Sequence, residues 1–306
     1  MKYNVFIDGA EGTTGLKIHQ YFQKRDDIQL LNIEADKRKD LDARLALIRQ
    51  ADISFLCLPD AAAIEAVELI EDPNTKIIDA STAHRCADAW AYGFVELGDA
   101  FLQGVRTNPR IANPGCHATG FISIVYPLIH QGILTKDATI TAYSLTGYSG
   151  GGKQMIRRYE AGGDPLLKAP QLYALGLTHK HLPEMKQICG LKKDPLFCPV
   201  VDDYYSGMAT SILLEADMEA VHAALAGFYG EGLVHVHPSG YDGNISANAH
   251  AGSDQLELIV CGRKEQTIVT ALFDNLGKGA CGAAIQNMNI ALGLDPLAGL
   301  HIERGK

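Results

Sequence analysis

The first third of the chain alternates two kinds of apolar stretch. Short contiguous runs at Val5–Asp8, Ile28–Ile33, Ile53–Leu58 and Lys76–Ala80 have the length and composition of buried strands. Between them, Gly15–Gln23, Leu41–Ile48 and Ala61–Ile70 place apolar residues at the spacing of a helix packed on a sheet. This βαβαβ rhythm predicts an α/β region with a doubly wound parallel sheet and right-handed crossovers.

The rhythm changes near residue 113. Ala138–Leu145, Ala209–Glu215, Leu233–Val236, Gln255–Cys261 and Thr267–Phe273 all read as strands, with few helices between them. That pattern predicts a second domain with a mixed or antiparallel sheet. The last element, Gly279–Leu292, reads as a helix after a Gly-containing start.

Composition narrows the class. The 306 residues suffice for two medium domains, and 47% hydrophobic with 21% charged residues is ordinary for a globular protein. A net charge of −9 argues against a nucleic-acid or anionic-membrane surface. No run reaches the ~18–20 apolar residues that span a bilayer. The N-terminus reads as a strand rather than a signal peptide, so a cytoplasmic location is expected. The 7 cysteines are odd in number, irregularly spaced and without a CxxC pair, which fits a reducing compartment better than a disulfide scaffold or a zinc ribbon. Cys57 and Cys261 lie in strand-like runs and read as small buried hydrophobes.

Candidate chemistry begins at the first strand-to-helix turn, Asp8-Gly9-Ala10-Glu11-Gly12-Thr13-Thr14-Gly15. Its GxxGxxG spacing is a variant of the Rossmann dinucleotide fingerprint, in which glycines permit a tight turn and close approach to a pyrophosphate. Gly9, Gly12, Thr13, Thr14 and Gly15 are the cofactor-binding candidates; a plain structural turn is the alternative. After the second strand, Glu34 and Asp36 fit the ribose of NAD, whereas Lys37, Arg38 and Lys39 fit the 2′-phosphate of NADP. The three consecutive cations favour NADP(H).

Cys116 follows Asn113-Pro114-Gly115 and precedes the apolar stretch Phe121–Ile129. A Pro-Gly turn entering a helix puts the thiol at a helix N-terminus, where the dipole favours a thiolate. A nucleophilic thiol needs a base. His179 and His181, in Thr178-His179-Lys180-His181-Leu182-Pro183-Glu184, are the candidates; if the segment is extended, only one of them faces Cys116. A His-x-His metal pair lacks a third ligand, so no metal is expected. His117, adjacent to Cys116, points elsewhere on a helix. A second glycine cluster, Gly147 to Lys153, offers Ser149, Gly150 and Lys153 to an anionic substrate. Ser81 and Arg85 sit past the fourth strand, where ligands of open α/β sheets bind; Arg85 suits a carboxylate or phosphate, or else a surface ion pair.

Gly9–Gly15, Asp79–Arg85, Asn113–Gly120, Gly147–Lys153, His179–Glu184 and Lys278–Asn289 together resemble the shorter form of the N-acetyl-γ-glutamyl-phosphate reductases, over nearly the whole chain. That family belongs with aspartate-semialdehyde dehydrogenase and shares the glyceraldehyde-phosphate dehydrogenase architecture. The resemblance implies a Rossmann-type domain over 1–113, completed by the C-terminal segment at about 278–306, and an α+β catalytic and dimerisation domain over 114–277. It implies that Cys116 is the nucleophile, that His181, or failing it His179, is the base, and that Asn287 and Ser81 lie at the cofactor. Arg85, Asn113, Ser149, Gly150, Lys153 and Glu184 are the substrate-binding candidates. The implied reaction is NADPH-dependent reductive dephosphorylation of N-acetyl-L-glutamyl 5-phosphate to the 5-semialdehyde with release of phosphate, through a cysteine thioester, in arginine biosynthesis. A homodimer or homotetramer is expected. The alternatives are a sister dehydrogenase such as one acting on aspartyl phosphate, a cysteine acyltransferase or hydrolase, and a non-catalytic dinucleotide-binding sensor. Longer members carry Tyr where this chain has His117, and a Ser-Arg pattern where it has Lys37–Lys39.

Overall fold

The computed structural model describes residues 2–302 and divides into two compact units. Of the described residues, one unit takes 2–114 together with Ala280–Leu300; the other holds Gly115–Gly279 with His301 and Ile302. Lys278 and Gly279 belong to the second unit, as does His301, while Met1 and residues 303–306, the last of which fall in the expected returning segment at about 278–306, lie outside the described residues.

The first unit is a parallel six-stranded sheet of order β2-β1-β3-β4-β6-β5. Its elements are β1 (Tyr3–Asp8), α1 (Thr13–Phe22), β2 (Ile28–Leu31), α2 (Leu41–Gln50), β3 (Ile53–Leu56), α3 (Asp60–Glu68), β4 (Ile77–Asp79), β5 (Ala91–Tyr92), α4 (Asp99–Thr107) and β6 (Arg110–Ala112). The central strands are buried on both faces, which explains their contiguous apolar runs: Val5, Ile53, Phe55, Ile77 and Ile78 are wholly enclosed. The order reverses between β1 and β3, the switch point where open α/β sheets bind ligands. Cys57, expected inside a strand, sits just past β3, and burial pushes its thiol up.

The second unit carries a mixed seven-stranded sheet of order β11-β12-β13-β10-β7-β9-β8. Helix α5 (Cys116–His130) opens it, followed by β7 (Thr141–Gly147), α6 (Gly152–Glu160), β8 (Gln171–Leu172), α7 (Leu182–Cys189), β9 (Leu196–Asp202), β10 (Met208–Leu214), α8 (Met218–Phe228), β11 (Val234–Val236), β12 (Leu256–Arg263) and β13 (Gln266–Phe273). The helices are more numerous than the strand-rich reading allowed. Helix α5 is almost entirely buried, with Phe121, Ile122, Ile124, Val125 and Leu128 inaccessible to solvent. It lies close on β10 because Gly120 has no side chain: a Cβ there would stand 2.4 Å from Thr210 Oγ1.

A π-type turn, Gly277–Cys281, leads into α9 (Gly282–Ala291) in the first unit. The expected single helix from Gly279 is therefore two elements. Cys281, Ala284, Ile285 and Met288 pack into the core formed by β1, β3 and α1. No helix among the described residues is long and apolar enough to cross a membrane.

Candidate active site

The glycine turn is made by the absence of side chains. Gly9 has φ +84°, and a Cβ there would stand 2.4 Å from Cys57 O. A Cβ on Gly15 would stand 2.5 Å from Gly9 O. Gly12 is the N-cap of α1 and offers no side-chain cap, so the first-turn N–H groups are left to a ligand or solvent. Thr13 Oγ1 is buried there without a hydrogen-bond partner among the described residues. Behind the turn, the Asp8 carboxylate meets Arg44 Nε at 3.0 and 2.9 Å and Nη2 at 2.8 Å. Burial raises the Asp8 pKa, and the Arg44 guanidinium opposes that shift.

A cavity of about 390 Å³ opens beside the turn, bounded by Gly9, Glu11, Ile33, Arg38, Lys39 and Leu58 among others. Arg38 Nη1 pairs with Glu11 Oε1 at 3.0 Å, and both side chains are exposed. Lys37 pairs instead with Glu34 at 2.7 Å and is not among the cavity's lining residues; Lys39 is. These features fit a dinucleotide: backbone donors for a pyrophosphate, an unpartnered hydroxyl at its edge, an apolar slot and two cations for a 2′-phosphate.

The other first-unit candidates are held more tightly than their motifs implied. Asp79 is fully buried and accepts from Ser81 N (2.9 Å), Ser81 Oγ (2.7 Å) and His84 Nδ1 (2.6 Å). Arg85 is buried, its Nε donating to Asn113 O at 2.9 Å and its Nη2 to Ala80 O at 3.0 Å. It is therefore a brace for the Asn113-Pro114 segment rather than a surface ion-pair residue. Asn113 Nδ2 donates to Ala280 O (2.9 Å), while its Oδ1 accepts from Asn287 Nδ2 (3.1 Å). Asn287 Nδ2 also donates to Gly93 O at 2.9 Å, and the residue is wholly buried.

In the second unit Cys116 is the first residue of α5, with Gly115 as an N-cap that makes no side-chain cap bond. Gly115 N donates to Glu184 Oε1 at 2.9 Å, and Glu184 is buried. Glu184 thus clamps the backbone one residue before the thiol. Gly279 leaves space for the cysteine, since a Cβ there would lie 3.0 Å from Cys116 Cβ.

His179 and His181 do not lie in an extended segment. The chain turns at His181, the N-cap of α7, with Pro183 in the first helical turn. Both rings consequently gather on the same neighbour: His179 lies 5.3 Å and His181 5.9 Å from the His117 ring, and 4.8 Å from each other. His181 N donates to His179 Nδ1 at 3.2 Å, which makes Nδ1 an acceptor and puts the proton of neutral His179 on Nε2. Burial, and secondarily Lys180, lower the His179 pKa to about 4. Burial lowers that of His117 to about 3, so its imidazole is neutral. His117 turns into this group instead of away from it. Its Nδ1 meets Ser144 Oγ and its Nε2 meets Tyr173 OH, each at 2.7 Å.

The Gly147–Lys153 loop is split in character. Ser149 is buried and its Oγ accepts from Asn275 Nδ2 at 3.0 Å, so this hydroxyl braces the loop. Lys153 is exposed on α6. Sequence reasoning overlooked Tyr173, Ser144, Thr210 and Asn275, which belong to no recognisable motif. Among the described residues no group of three or more His, Cys, Asp or Glu could hold a metal ion.

Residues 4–103 match the family model for a semialdehyde dehydrogenase NAD-binding domain, and residues 116–275 that for a semialdehyde dehydrogenase dimerisation domain. The N-acetyl-gamma-glutamyl-phosphate reductase 2 of Pseudomonas putida is 43% identical, with 94% of this chain and 96% of that protein covered. The reductase 2 of a Nostoc species is 42% identical, over 98% of this chain and 99% of its own. Among solved structures, aspartate semialdehyde dehydrogenase II of Vibrio cholerae has a TM-score of 0.74 at 18% identity, covering 96% of this chain and 99% of that one. The aspartate semialdehyde dehydrogenase of Candida albicans, solved with NADP, has a TM-score of 0.67 at 13% identity, covering 95% of this chain and 98% of that one.

Proposed function

Because this chain belongs to the N-acetyl-γ-glutamyl-phosphate reductase family, we propose that it reduces N-acetyl-L-glutamyl 5-phosphate to the 5-semialdehyde through a thioester on Cys116. The observation that carries the reading is a cysteine at the first position of a buried helix, clamped by Glu184, with a histidine pair gathered beside the same helical turn. The dipole end of α5 favours negative charge on the sulfur.

Cys116 Sγ attacks the acyl carbon. The C–S bond forms, the carbonyl π electrons move onto oxygen, and collapse of that oxyanion expels inorganic phosphate, leaving the thioester. When bound, NADPH would supply the hydride needed at the thioester carbon. The resulting thiohemiacetal oxyanion collapses with cleavage of the C–S bond, which frees the aldehyde and returns the thiolate. A thioester accepts hydride far more readily than a carboxylate, which is why the route needs a thiol. His181 manages the thiol proton in this account, because His179 already accepts at Nδ1 and carries its proton on Nε2.

Thr13 and the Gly9–Gly15 backbone would hold the pyrophosphate of NADP(H), and Arg38 with Lys39 would take its 2′-phosphate. Arg85 and Asn287 act as braces for Asn113. A cytoplasmic homodimer or homotetramer assembled through the second unit completes the reading, supported by the dimerisation domain named in the matching family model.

The test is phosphate-dependent NADP⁺ reduction with N-acetyl-glutamate 5-semialdehyde, with aspartate semialdehyde as the control. Turnover that prefers the aspartyl compound would overturn the substrate assignment. Wild-type turnover by Cys116→Ser would overturn covalent catalysis.

A further inference from the structure

His117 is a buried imidazole that the thioester route does not use. Its two nitrogens are nonetheless fully engaged, and they form the middle of a buried chain of polar groups. Thr210 Oγ1 lies 2.7 Å from Ser144 Oγ, Ser144 Oγ lies 2.7 Å from His117 Nδ1, and His117 Nε2 lies 2.7 Å from Tyr173 OH. Ser144 and Thr210 are cross-strand partners on β7 and β10, and both are inaccessible to solvent. The missing side chain at Gly120 lets Thr210 come this close to α5.

Hydrogen-bond accounting gives the chain a direction. Each hydroxyl has one proton, and a neutral imidazole has one N–H and one acceptor nitrogen. Among the described residues Thr210 Oγ1 has Ser144 as its hydrogen-bond partner and no other. If the protons pointed toward Thr210, its own hydroxyl proton would be buried with no acceptor among the described residues, which is unfavourable. Reversed, every inner group is satisfied: Thr210 donates to Ser144, Ser144 donates to His117 Nδ1, and His117 Nε2–H donates to Tyr173 OH. The phenolic proton is then the one left over. It sits at the half-buried end of the chain, beside the residue that follows Cys116 and 5.8 Å, ring to ring, from His179.

We infer that His117 is a positioning residue that fixes Tyr173 as a hydrogen-bond donor to the oxyanion formed on the Cys116 acyl group. Tyr173 keeps its proton throughout: burial pushes the hydroxyl up, with the Cys116 charge adding to the effect, so it acts as donor rather than acid. The inference rests on the thioester reading of Cys116, and it adds a residue that no motif marks.

The experiment compares four variants in the full chain: Tyr173→Phe, His117→Asn, His117→Gln and the double Tyr173→Phe/His117→Asn. Loss of one oxyanion donor predicts a fall in kcat of about 10²-fold for Tyr173→Phe, with KM within about threefold. An Asn amide reaches only the Nδ1 position, so His117→Asn matches that fall. A Gln amide reaches the Nε2 position, so His117→Gln recovers most of the rate. The double variant is no slower than Tyr173→Phe, since both changes remove one device. Wild-type kcat in Tyr173→Phe, or losses that multiply in the double variant, would overturn the inference, and Tyr173→Phe decides alone if His117→Asn does not fold. Cys116→Ser run alongside separates the two levels. If it is inactive while Tyr173→Phe turns over normally, only this inference fails; if it turns over normally, the thioester reading fails as well.

Discussion

The N-termini of α1 and α5 face the same physical problem and meet it in opposite ways. Both helices begin with a glycine N-cap that makes no side-chain capping bond to the first turn. At α1 the surroundings are cleared away: Gly9 and Gly15 stand where any Cβ would strike backbone. At α5 the surroundings are built up: Glu184 grips Gly115 N, and His117, His179, His181 and Tyr173 crowd the first turn. On the proposed reading, the first arrangement admits a ligand's own anion, and the second holds one that the protein supplies as Cys116. Helix polarity alone specifies neither role; the contrast between emptied and braced surroundings does.

Cys116→Ala breaks the braced side most severely. It removes the nucleophile and lowers kcat by at least about 10³-fold, measured as phosphate-dependent NADP⁺ reduction, while NADP⁺ affinity stays unchanged in calorimetry. Gly9→Ala breaks the emptied side. Its positive φ and the 2.4 Å approach to Cys57 O predict a loss of about 1–3 kcal/mol in denaturant titration together with weakened NADP⁺ binding. Intact binding in Gly9→Ala would show that the turn is merely structural. Glu184→Ala leaves the Gly115 N–H without its acceptor. It costs about 1–3 kcal/mol and reduces kcat with little change in cofactor affinity, read by unfolding and steady-state kinetics side by side.

Two smaller effects sharpen the contrast. Arg38→Ala with Lys39→Ala weakens 2′,5′-ADP binding by about tenfold or more and leaves 5′-AMP binding nearly unchanged, because only the 2′-phosphate is lost. The braced site also carries a pH signature. Burial holds His117 neutral down to about pH 3, whereas in the unfolded chain it titrates near 6.5. The unfolded state therefore binds more protons below pH 6.5. Stability from this group is complete above 6.5 and falls by up to about 1.4 kcal/mol per pH unit as pH drops toward 3. Urea titrations at pH 7 and pH 5 measure the slope, and His117→Gln flattens it.

The two regions also differ in how far sequence exposes them. The α/β alternation, the glycine turn and a cysteine entering a helix are local patterns, and each is legible in a few adjacent residues. Short elements are less so: β5 and β8 have two residues each, and Pro199 inside β9 disguises that strand. Helix α6 is short and strongly polar, and α7 begins directly from the histidine segment, which therefore reads as extended. An extended segment would point His179 and His181 to opposite sides, whereas the turn at His181 brings their rings within 4.8 Å. The chain from Thr210 to Tyr173 joins residues 66, 27 and 56 positions apart, so no window of sequence contains it. Arg85 and Ser149 sit in motifs that advertise ligand binding, yet Arg85 Nε donates to the Asn113 carbonyl and Ser149 Oγ accepts from Asn275. A motif gives residue type and neighbourhood; only packing tells whether a side chain faces the ligand or supports its neighbour.

Whether Cys116 carries the acyl group is decided by a single-turnover experiment without reductant. The enzyme is mixed with excess N-acetyl-L-glutamyl 5-phosphate in the absence of NADPH, and phosphate release is followed while intact-mass and peptide spectra are recorded. Covalent catalysis at Cys116 gives a burst of about one phosphate per active site and an N-acetylglutamyl adduct on the Cys116 peptide that NADPH discharges. Absence of both burst and adduct, in protein that turns over normally with NADPH, would contradict it.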